Sequence, residues 1–282
     1  MMRTGIVDRA GTARAGSVTM SHDLAAMLEN RRWCVYEAPF HHVRAANVCA
    51  PGVYEALVTA FRAILVRGLS ENSDATRFAR LSGYDAYAIS FSEQLAPAFD
   101  VFVSRAWHER VARLFGIEVT SDIRGGLHHH RVGSRDGQIH NDLNPGWFVD
   151  APNADGINVA NLGLCNYFDG VTAKGAGTPR ETVRGIAMLY YLANGAWRPG
   201  DGGETGLYRR CGGPVGRTDA RVPPIDNTIL LFECTPWSYH SFLSNPRKPR
   251  NSLIMWLHRP KPNVVARWGE ERIVTWLRSS PQ

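Results

Sequence analysis

Beyond Gly116 the chain changes from helical periodicity to short alternating apolar segments, and this change constrains the fold more than any other feature. Gly, Pro, Asn and Asp punctuate the segments, as they do in sandwiches and barrels. We therefore expect a mainly β core between about 121 and 260. The predicted strands lie near 126–132, 138–142, 183–193, 204–209, 228–233, 238–243 and 250–258.

The first 120 residues have a helix-rich pattern. Apolar residues recur at helical spacing after Pro51, and again from about 92 to 116, where Ser92 is a candidate helix cap. Strand-like stretches between Trp33 and Cys49 precede these helices. The sequence thus predicts an α+β protein in which an N-terminal helical layer packs against the β core.

No internal repeat or low-complexity tract divides the chain, so 21–282 is predicted to be a single domain. It consists of a helix-rich part over 21–120, the core over about 121–260 and a C-terminal segment over 261–282. Residues 1–20 lack periodicity and predict a flexible arm. The segment 150–182 is rich in Gly and Asn and predicts an elaborated loop at one mouth of the core.

Composition narrows the class of protein. The five cysteines are odd in number, widely spaced and never in a CxxC pair, which predicts reduced thiols. No apolar run approaches the roughly 18 residues of a membrane span, and no secretory signal opens the chain, so we expect a soluble cytoplasmic protein. The net charge of +6 permits nucleic-acid binding, but the basic residues are scattered and suit a small anionic substrate equally well.

A histidine and an aspartate stand two positions apart in GQIHNDLNPGWF, residues 137–148. In a strand such residues point to one face, so His140 and Asp142 could offer a nitrogen and an oxygen to one ion. The pair alone is a weak signal, but His240 follows 98 residues after Asp142 and supplies a third ligand. This set suits non-haem Fe(II), which needs open coordination positions, although zinc hydrolases use the same ligand types.

Arg250 stands ten residues after His240 at the start of an apolar strand, on the same face as Ser252. A guanidinium and a hydroxyl there could bind a carboxylate. Lys248 has the same parity and Arg247 is close, so the register leaves both as alternatives. We prefer Arg250 because it opens the apolar strand.

Other histidines and arginines near the expected mouth have simpler interpretations. In the run 128–130, alternation lets at most His128 and His130 converge, and a surface or pocket-lining role is favoured over metal binding. Arg124, Arg131 and Arg209 could bind an anionic substrate group, although solvated surface charge is the simpler expectation for each.

The order HxD, GGE, then His with Arg ten residues later resembles the Fe(II)/2-oxoglutarate dioxygenase superfamily, nearest its prolyl 4-hydroxylase-like branch. The motifs are HND at 140–142, LYYLANGAWRPGDGGETGLY at 189–208 and the block from His240 to Arg250, within about 125–260. The first 120 residues match no family pattern. The resemblance implies a double-stranded β-helix, that is, a cupin-like jelly roll.

The resemblance also implies catalytic roles. His140, Asp142 and His240 would form the catalytic centre and hold iron. The implied reaction uses O2, decarboxylates 2-oxoglutarate to succinate and hydroxylates an unactivated C–H bond. Related halogenases carry a small residue in place of the acidic ligand, so Asp142 favours hydroxylation or a related oxidation.

For the cosubstrate, the resemblance implies that Arg250, with Ser252, binds the far carboxylate of 2-oxoglutarate. A tyrosine of the strand IAMLYYLA would help to hold it. Tyr191 is the candidate, and Tyr190, which faces oppositely, is the alternative.

The function we expect is hydroxylation of a small molecule, such as an amino acid, a nucleotide-like compound or a natural-product intermediate. The 150–182 loop and the helical layer would enclose it, and Trp147, Asn144 and Arg131 are candidate substrate residues. A protein or peptide side-chain hydroxylase is the first alternative. A non-catalytic metal-binding jelly roll is the second, although Arg250 argues against it, and a nucleic-acid demethylase rests on charge alone.

Overall fold

Strands dominate the computed structural model, which describes residues 23–30, 32–93 and 96–275. The predicted arm at 1–20 lies outside these ranges. The helices are α1 Leu24–Met27, α2 Pro51–Leu65, α3 Arg105–Phe115 and α4 Lys261–Trp268, with 3-10 turns at Pro97–Val103 and Glu270–Arg272. The strands are β1 Cys34–Tyr36, β2 His42–Ala46, β3 Leu69–Ser70, β4 Phe78–Arg80, β5 Tyr87–Ser90, β6 Asp122–His130, β7 Pro145–Phe148, β8 Asn158–Val159, β9 Arg180–Tyr191, β10 Thr205–Tyr208, β11 Ala220–Val222, β12 Thr228–Glu233, β13 Tyr239–Phe242 and β14 Arg250–Pro260.

Two sheets form the core. The larger has the order β1-β2-β12-β9-β14-β6-β5-β4-β3, with β7 beside β9 and β8 beside β6, and the smaller has the order β11-β10-β13. The small sheet lies over the inner face of the large one, since Thr205 of β10 is 2.7 Å from the Tyr191 hydroxyl of β9. This arrangement is the double-stranded β-helix that the sequence resemblance implies. All five cysteines are free thiols, and no helix in the described ranges is long and apolar enough to cross a membrane.

Alternation along β9 divides its side chains between two cores. Met188 and Tyr190 pack with α2 residues such as Phe61, whereas Leu189 and Tyr191 pack with the small sheet. Burial on both faces explains why this strand is apolar without interruption. The predicted helical layer is therefore present, but it supports the large sheet from outside and does not cover the inner face.

Three local features differ from the prediction. The helical segment expected over 92–116 is broken, because α3 begins only after Ser104, whose hydroxyl accepts a hydrogen bond from Trp107 N at 3.2 Å. The strands β3, β4 and β5 have two to four residues each, too few for a readable alternation. The strand expected over 138–142 is wrong: His140 forms an isolated bridge, and the Asn141 side chain then turns the chain by accepting from Leu143 N at 3.2 Å.

Ser104→Ala is expected to lower the free energy of unfolding by about 1 kcal/mol, because it removes the N-cap of α3. Ser92→Ala is the matched control, since Ser92 lies outside the 3-10 turn Pro97–Val103 and outside α3. Its hydroxyl lies 3.0 Å from that of Ser90. Urea unfolding followed by circular dichroism measures both. Equal losses in the two variants would contradict the assignment of Ser104 as the cap.

Candidate metal centre and cosubstrate pocket

His140, Asp142 and His240 meet in the interior between the two sheets. Each offers one ligand atom, and these atoms lie within 4.8 Å of one another. The backbones of the two histidines exchange hydrogen bonds of 3.1 and 2.8 Å, so an isolated bridge fixes their spacing. Residues that are far apart in sequence thereby form one potential metal site.

Both imidazoles are oriented by their Nδ1 atoms. His140 Nδ1 lies 2.8 Å from the Gln138 carbonyl oxygen, and His240 Nδ1 lies 3.1 Å from that of Ser238. Since a carbonyl only accepts, each Nδ1 donates to it and each Nε2 is the ring nitrogen that remains for a metal. The Nε2 atoms face Asp142, at 3.9 Å from His140 and 3.3 Å from His240. Two imidazoles beside a carboxylate are a donor set suited to Fe(II).

Asp142 is buried, and both of its oxygens accept hydrogen bonds. Arg184 Nη1 donates to Oδ1 at 2.7 Å, and Trp256 Nε1 donates to Oδ2 at 2.8 Å. Burial would raise the pKa of this carboxyl, but Arg184 and then the two imidazoles outweigh burial and hold the pKa well below its usual range. The carboxylate is therefore ionised and suited to a cation.

Arg184 is itself held by Tyr167, which belongs to the long segment 150–182. Arg184 Nε donates to the Tyr167 hydroxyl at 3.2 Å, and that hydroxyl lies 3.0 Å from His258 Nε2. A Cβ at Gly146 would lie 2.4 Å from the Tyr167 ring, so β7 approaches this closely only because it has glycine there. The segment thus inserts a side chain behind the metal site.

Arg184 reaches the interior because the pairing of β9 with β14 shifts at Gly185. Leu257 pairs with Ile186, but His258 pairs with Arg184. A one-residue shift reverses the face on which side chains lie, whereas strict alternation from Tyr191 would direct Arg184 outward. Arg184 is therefore a site residue that alternation does not predict, and the glycine inside the strand is the sequence signal that could have indicated it.

Arg250 lies in a second interior pocket and is 2% exposed. Its Nη1 donates to Ser252 Oγ at 3.1 Å and its Nη2 to Thr205 Oγ1 at 3.4 Å, while its buried Nε has no partner among the described residues. The Tyr191 ring centroid lies 5.2 Å from the guanidinium carbon. A buried cation paired only with hydroxyls is a suitable site for a carboxylate.

The alternatives to Arg250 and Tyr191 lie elsewhere. Lys248 pairs with Asp201 at 3.0 Å, and Arg247 is exposed. Tyr190 points to the helical layer, where its hydroxyl donates to Asn227 at 2.8 Å.

Histidines of β6 complete the wall of this pocket. Arg250 lies opposite His130, and Ser252 lies opposite His128, so both imidazoles share the interior face as alternation predicts. Tyr84 lies with its ring 5.7 Å from that of His130, and burial raises the pKa of its hydroxyl to about 12. Tyr84 was not predicted from the sequence, because it precedes β5, a strand of only four residues.

The three candidate substrate residues do not converge on the metal site. Asn144 is buried and accepts from Arg184 Nη1 at 3.4 Å, so it supports that guanidinium. Trp147 packs against the segment 150–182 at Gly170, where an added Cβ would lie 2.7 Å from the indole. Arg131 is exposed beyond the end of β6, with its guanidinium 5.1 Å from the Tyr87 ring.

Residues 134–258 match the model of a family described as the 2OG-Fe(II) oxygenase superfamily. Among solved structures, the chain is similar to a prolyl-4-hydroxylase from Pseudomonas putida, with 16% identity, a TM-score of 0.48 and coverage of 77% of this chain and 92% of that one. It is also similar to a Trichoplax adhaerens prolyl hydroxylase in complex with a hypoxia inducible factor peptide, with 15% identity, a TM-score of 0.48 and coverage of 80% and 86%. The comparison with curated proteins found no match.

The chain matches the 2OG-Fe(II) oxygenase superfamily over residues 134–258, the region that carries the motifs noted in its sequence. It is a 2-oxoglutarate-dependent dioxygenase, and its cofactors are Fe(II), 2-oxoglutarate and O2.

The metal-free protein is expected to lose stability as the pH falls below about 6.5. Burial is the main reason that the pKa of His140 is lowered to about 4 and that of His128 to about 3, and the neighbouring His240 and Arg250 contribute to these values. The unfolded chain therefore binds more protons than the folded one between these values and 6.5, which costs up to about 1.4 kcal/mol per pH unit for each group.

The urea midpoint of the protein in chelator, measured from pH 7 to pH 5, tests this dependence. His128→Gln should give a shallower decline because one titrating group is lost. An identical decline in the variant would contradict the neutral, buried state of His128.

Proposed function

We propose that His140, Asp142 and His240 hold Fe(II) and that Arg250 binds the far carboxylate of 2-oxoglutarate. The observation that carries this proposal is a converging His-Asp-His cluster in the same interior as a buried guanidinium that is bonded to hydroxyls and forms no ion pair with a described residue. A zinc hydrolase or a metal-storing jelly roll needs the cluster but has no use for the guanidinium.

The side chains around the site then have separate tasks. Ser252 and Thr205 fix the plane of the Arg250 guanidinium, so that a carboxylate can be bound in one orientation. Arg184 and Trp256 hold the Asp142 carboxylate in place. When bound, Fe(II) and 2-oxoglutarate supply the oxidising chemistry, with release of succinate. The buried interior keeps water away from that chemistry.

The substrate we propose is a small molecule that is hydroxylated in the interior near Trp256. The segment 150–182 supports this choice, because Tyr167 and Phe168 close this end of the interior around Arg124. Enclosed sites bury most of a small ligand, whereas a peptide needs an open groove. The helical layer takes no part in the enclosure.

Hydroxylation of a protein or peptide side chain is the second candidate. The Trichoplax adhaerens prolyl hydroxylase was solved with a peptide fragment, which makes peptides a reasonable class to test. Succinate release in the presence of a small-molecule panel or of proline-containing peptides separates the two candidates.

We also propose that residues 21–282 form one domain. Strand β2 of the N-terminal part pairs with β12, which pairs with β9 of the core. The sheet is therefore continuous between the N-terminal part, 21–120, and the core, 121–260. This continuity argues against two independent units.

His140→Ala and His240→Ala are each expected to abolish Fe(II) binding and succinate formation, because each removes one of three ligands. Anaerobic calorimetry measures the first, and His41→Ala, at an exposed position, is the control. Full activity in either ligand variant would refute the metal assignment.

Arg250→Ala is expected to raise the 2-oxoglutarate concentration required for half-maximal turnover by at least roughly 30-fold, since one partner of a buried charge pair is lost. Iron affinity should change little. Lys248→Ala is the matched control and should behave as wild type. The reverse pattern would move the carboxylate site to Lys248.

A further inference from the structure

A second guanidinium, that of Arg124, faces the interior. Arg124 of β6 lies opposite Trp256 of β14, whose indole donates to Asp142. The ion pairs between described residues do not include Arg124, although they include the nearby Arg180 and Arg184. Its Nη1 is shielded from solvent and has no hydrogen-bond partner in the described part of the chain. A buried donor left in this state is costly unless a ligand pairs with it.

Aromatic rings hold Arg124 in an orientation suited to binding. Its guanidinium carbon lies 4.1 Å from the ring centroid of Tyr167 and 4.6 Å from that of Phe168. Stacking on ring faces leaves the N–H groups at the guanidinium edge able to donate in plane to an oxyanion. Both rings belong to the segment 150–182, so this segment helps to present Arg124 to the interior.

Two buried acidic groups of this region are already neutralised, and Glu93, which attracts Arg124 electrostatically, is exposed to solvent. Asp122, two residues earlier on β6, is bound by both terminal nitrogens of Arg180 and by Asn158 at 2.7 Å. Asp142 is bound by Arg184. Burial, together with the neighbouring Arg184, lowers the pKa of Arg124 to about 10, so the group stays charged at neutral pH. The buried edge of its guanidinium is therefore available to a ligand.

The 2-oxoglutarate at Arg250 would not meet this need. Arg250 pairs with His130 and Arg124 pairs with Trp256, so the two cations are six positions apart along the same strands. At about 3.3 Å per residue, their backbones are roughly 20 Å apart. A five-carbon diacid fixed at Arg250 does not span that distance, so an anion bound at Arg124 would belong to a second, separate molecule.

We propose that Arg124 binds a carboxylate or phosphate group of the primary substrate and so selects small anionic molecules for oxidation beside Asp142. This inference rests on the proposed function, because the substrate is the molecule oxidised at the metal. Two other arginines near the expected mouth do not fit the role: Arg131 lies outside the interior, and the exposed Arg209 is 3.6 Å from Asp219.

Matched ligand pairs test the proposal without turnover. L-amino acids are compared with their amides, and nucleoside monophosphates with their nucleosides, by calorimetric titration into protein loaded with Zn(II) and 2-oxoglutarate. Wild type should bind at least one ligand that carries the carboxylate or phosphate tenfold or more tightly than its counterpart that lacks this group, and the responding set tells carboxylate from phosphate. The ratio of the two affinities measures charge recognition. If Arg124 had only a structural role, substituting it would leave this ratio unchanged.

Three variants separate Arg124 from its surroundings. Arg124→Gln should bring the ratio close to one while 2-oxoglutarate affinity stays within about twofold of wild type. Arg124→Lys, which keeps the charge but loses the fork, should give an intermediate ratio and serves as the test if the glutamine variant does not fold. Arg131→Gln is the control and should keep the wild-type ratio.

An unchanged ratio in the Arg124 variants would overturn the proposal. The proposal would also be overturned if wild-type protein takes up Zn(II) and 2-oxoglutarate but binds only the ligands that lack a carboxylate or phosphate, or binds none of the ligands in the two sets. Failure of wild type to take up Zn(II) and 2-oxoglutarate would instead refute the proposed function. The same ratio measured on unloaded protein would then still decide the role of Arg124.

Discussion

A carboxylate buried between two sheets stays ionised only if nearby donors compensate for its lost hydration, and the site depends on this condition at Asp142. Arg184 and Trp256 meet the condition with one hydrogen bond to each oxygen. Arg184 can do so because the bulge at Gly185 turns it inward and Tyr167 holds it there. Features far from the HxD motif thus determine whether that motif can bind a cation.

The same reasoning extends to the charge balance of the interior. The interior is faced by three guanidiniums, those of Arg124, Arg184 and Arg250. In the ion pairs between described residues, the only acidic partner of these three is Asp142, which pairs with Arg184. Burial lowers the pKa of His128 and His130, so these imidazoles add no positive charge at neutral pH. The interior is therefore suited to anions on both sides of the metal site, one at Arg250 and one at Arg124.

Much of the core could be predicted because alternation and turn residues directly reflect which face of a strand is buried. Tyr191 faces the interior and Tyr190 faces the helices, as parity requires. Arg131 was expected to line the site, but β6 ends at His130. Beyond the end of a strand, alternation no longer determines the face on which a side chain lies. Arg184 was missed for the opposite reason, since one extra residue in the strand reverses the alternation. Such shifts are set by pairing with distant strands and are not visible in the local pattern.

Anaerobic titration of the protein with Fe(II) and 2-oxoglutarate, followed by visible absorption, tests the central claim that one interior binds both. We expect a weak band that requires both additions and is lost in variants of His240 and Arg250. If wild-type protein shows no band when both are present, the interior does not bind iron and 2-oxoglutarate together.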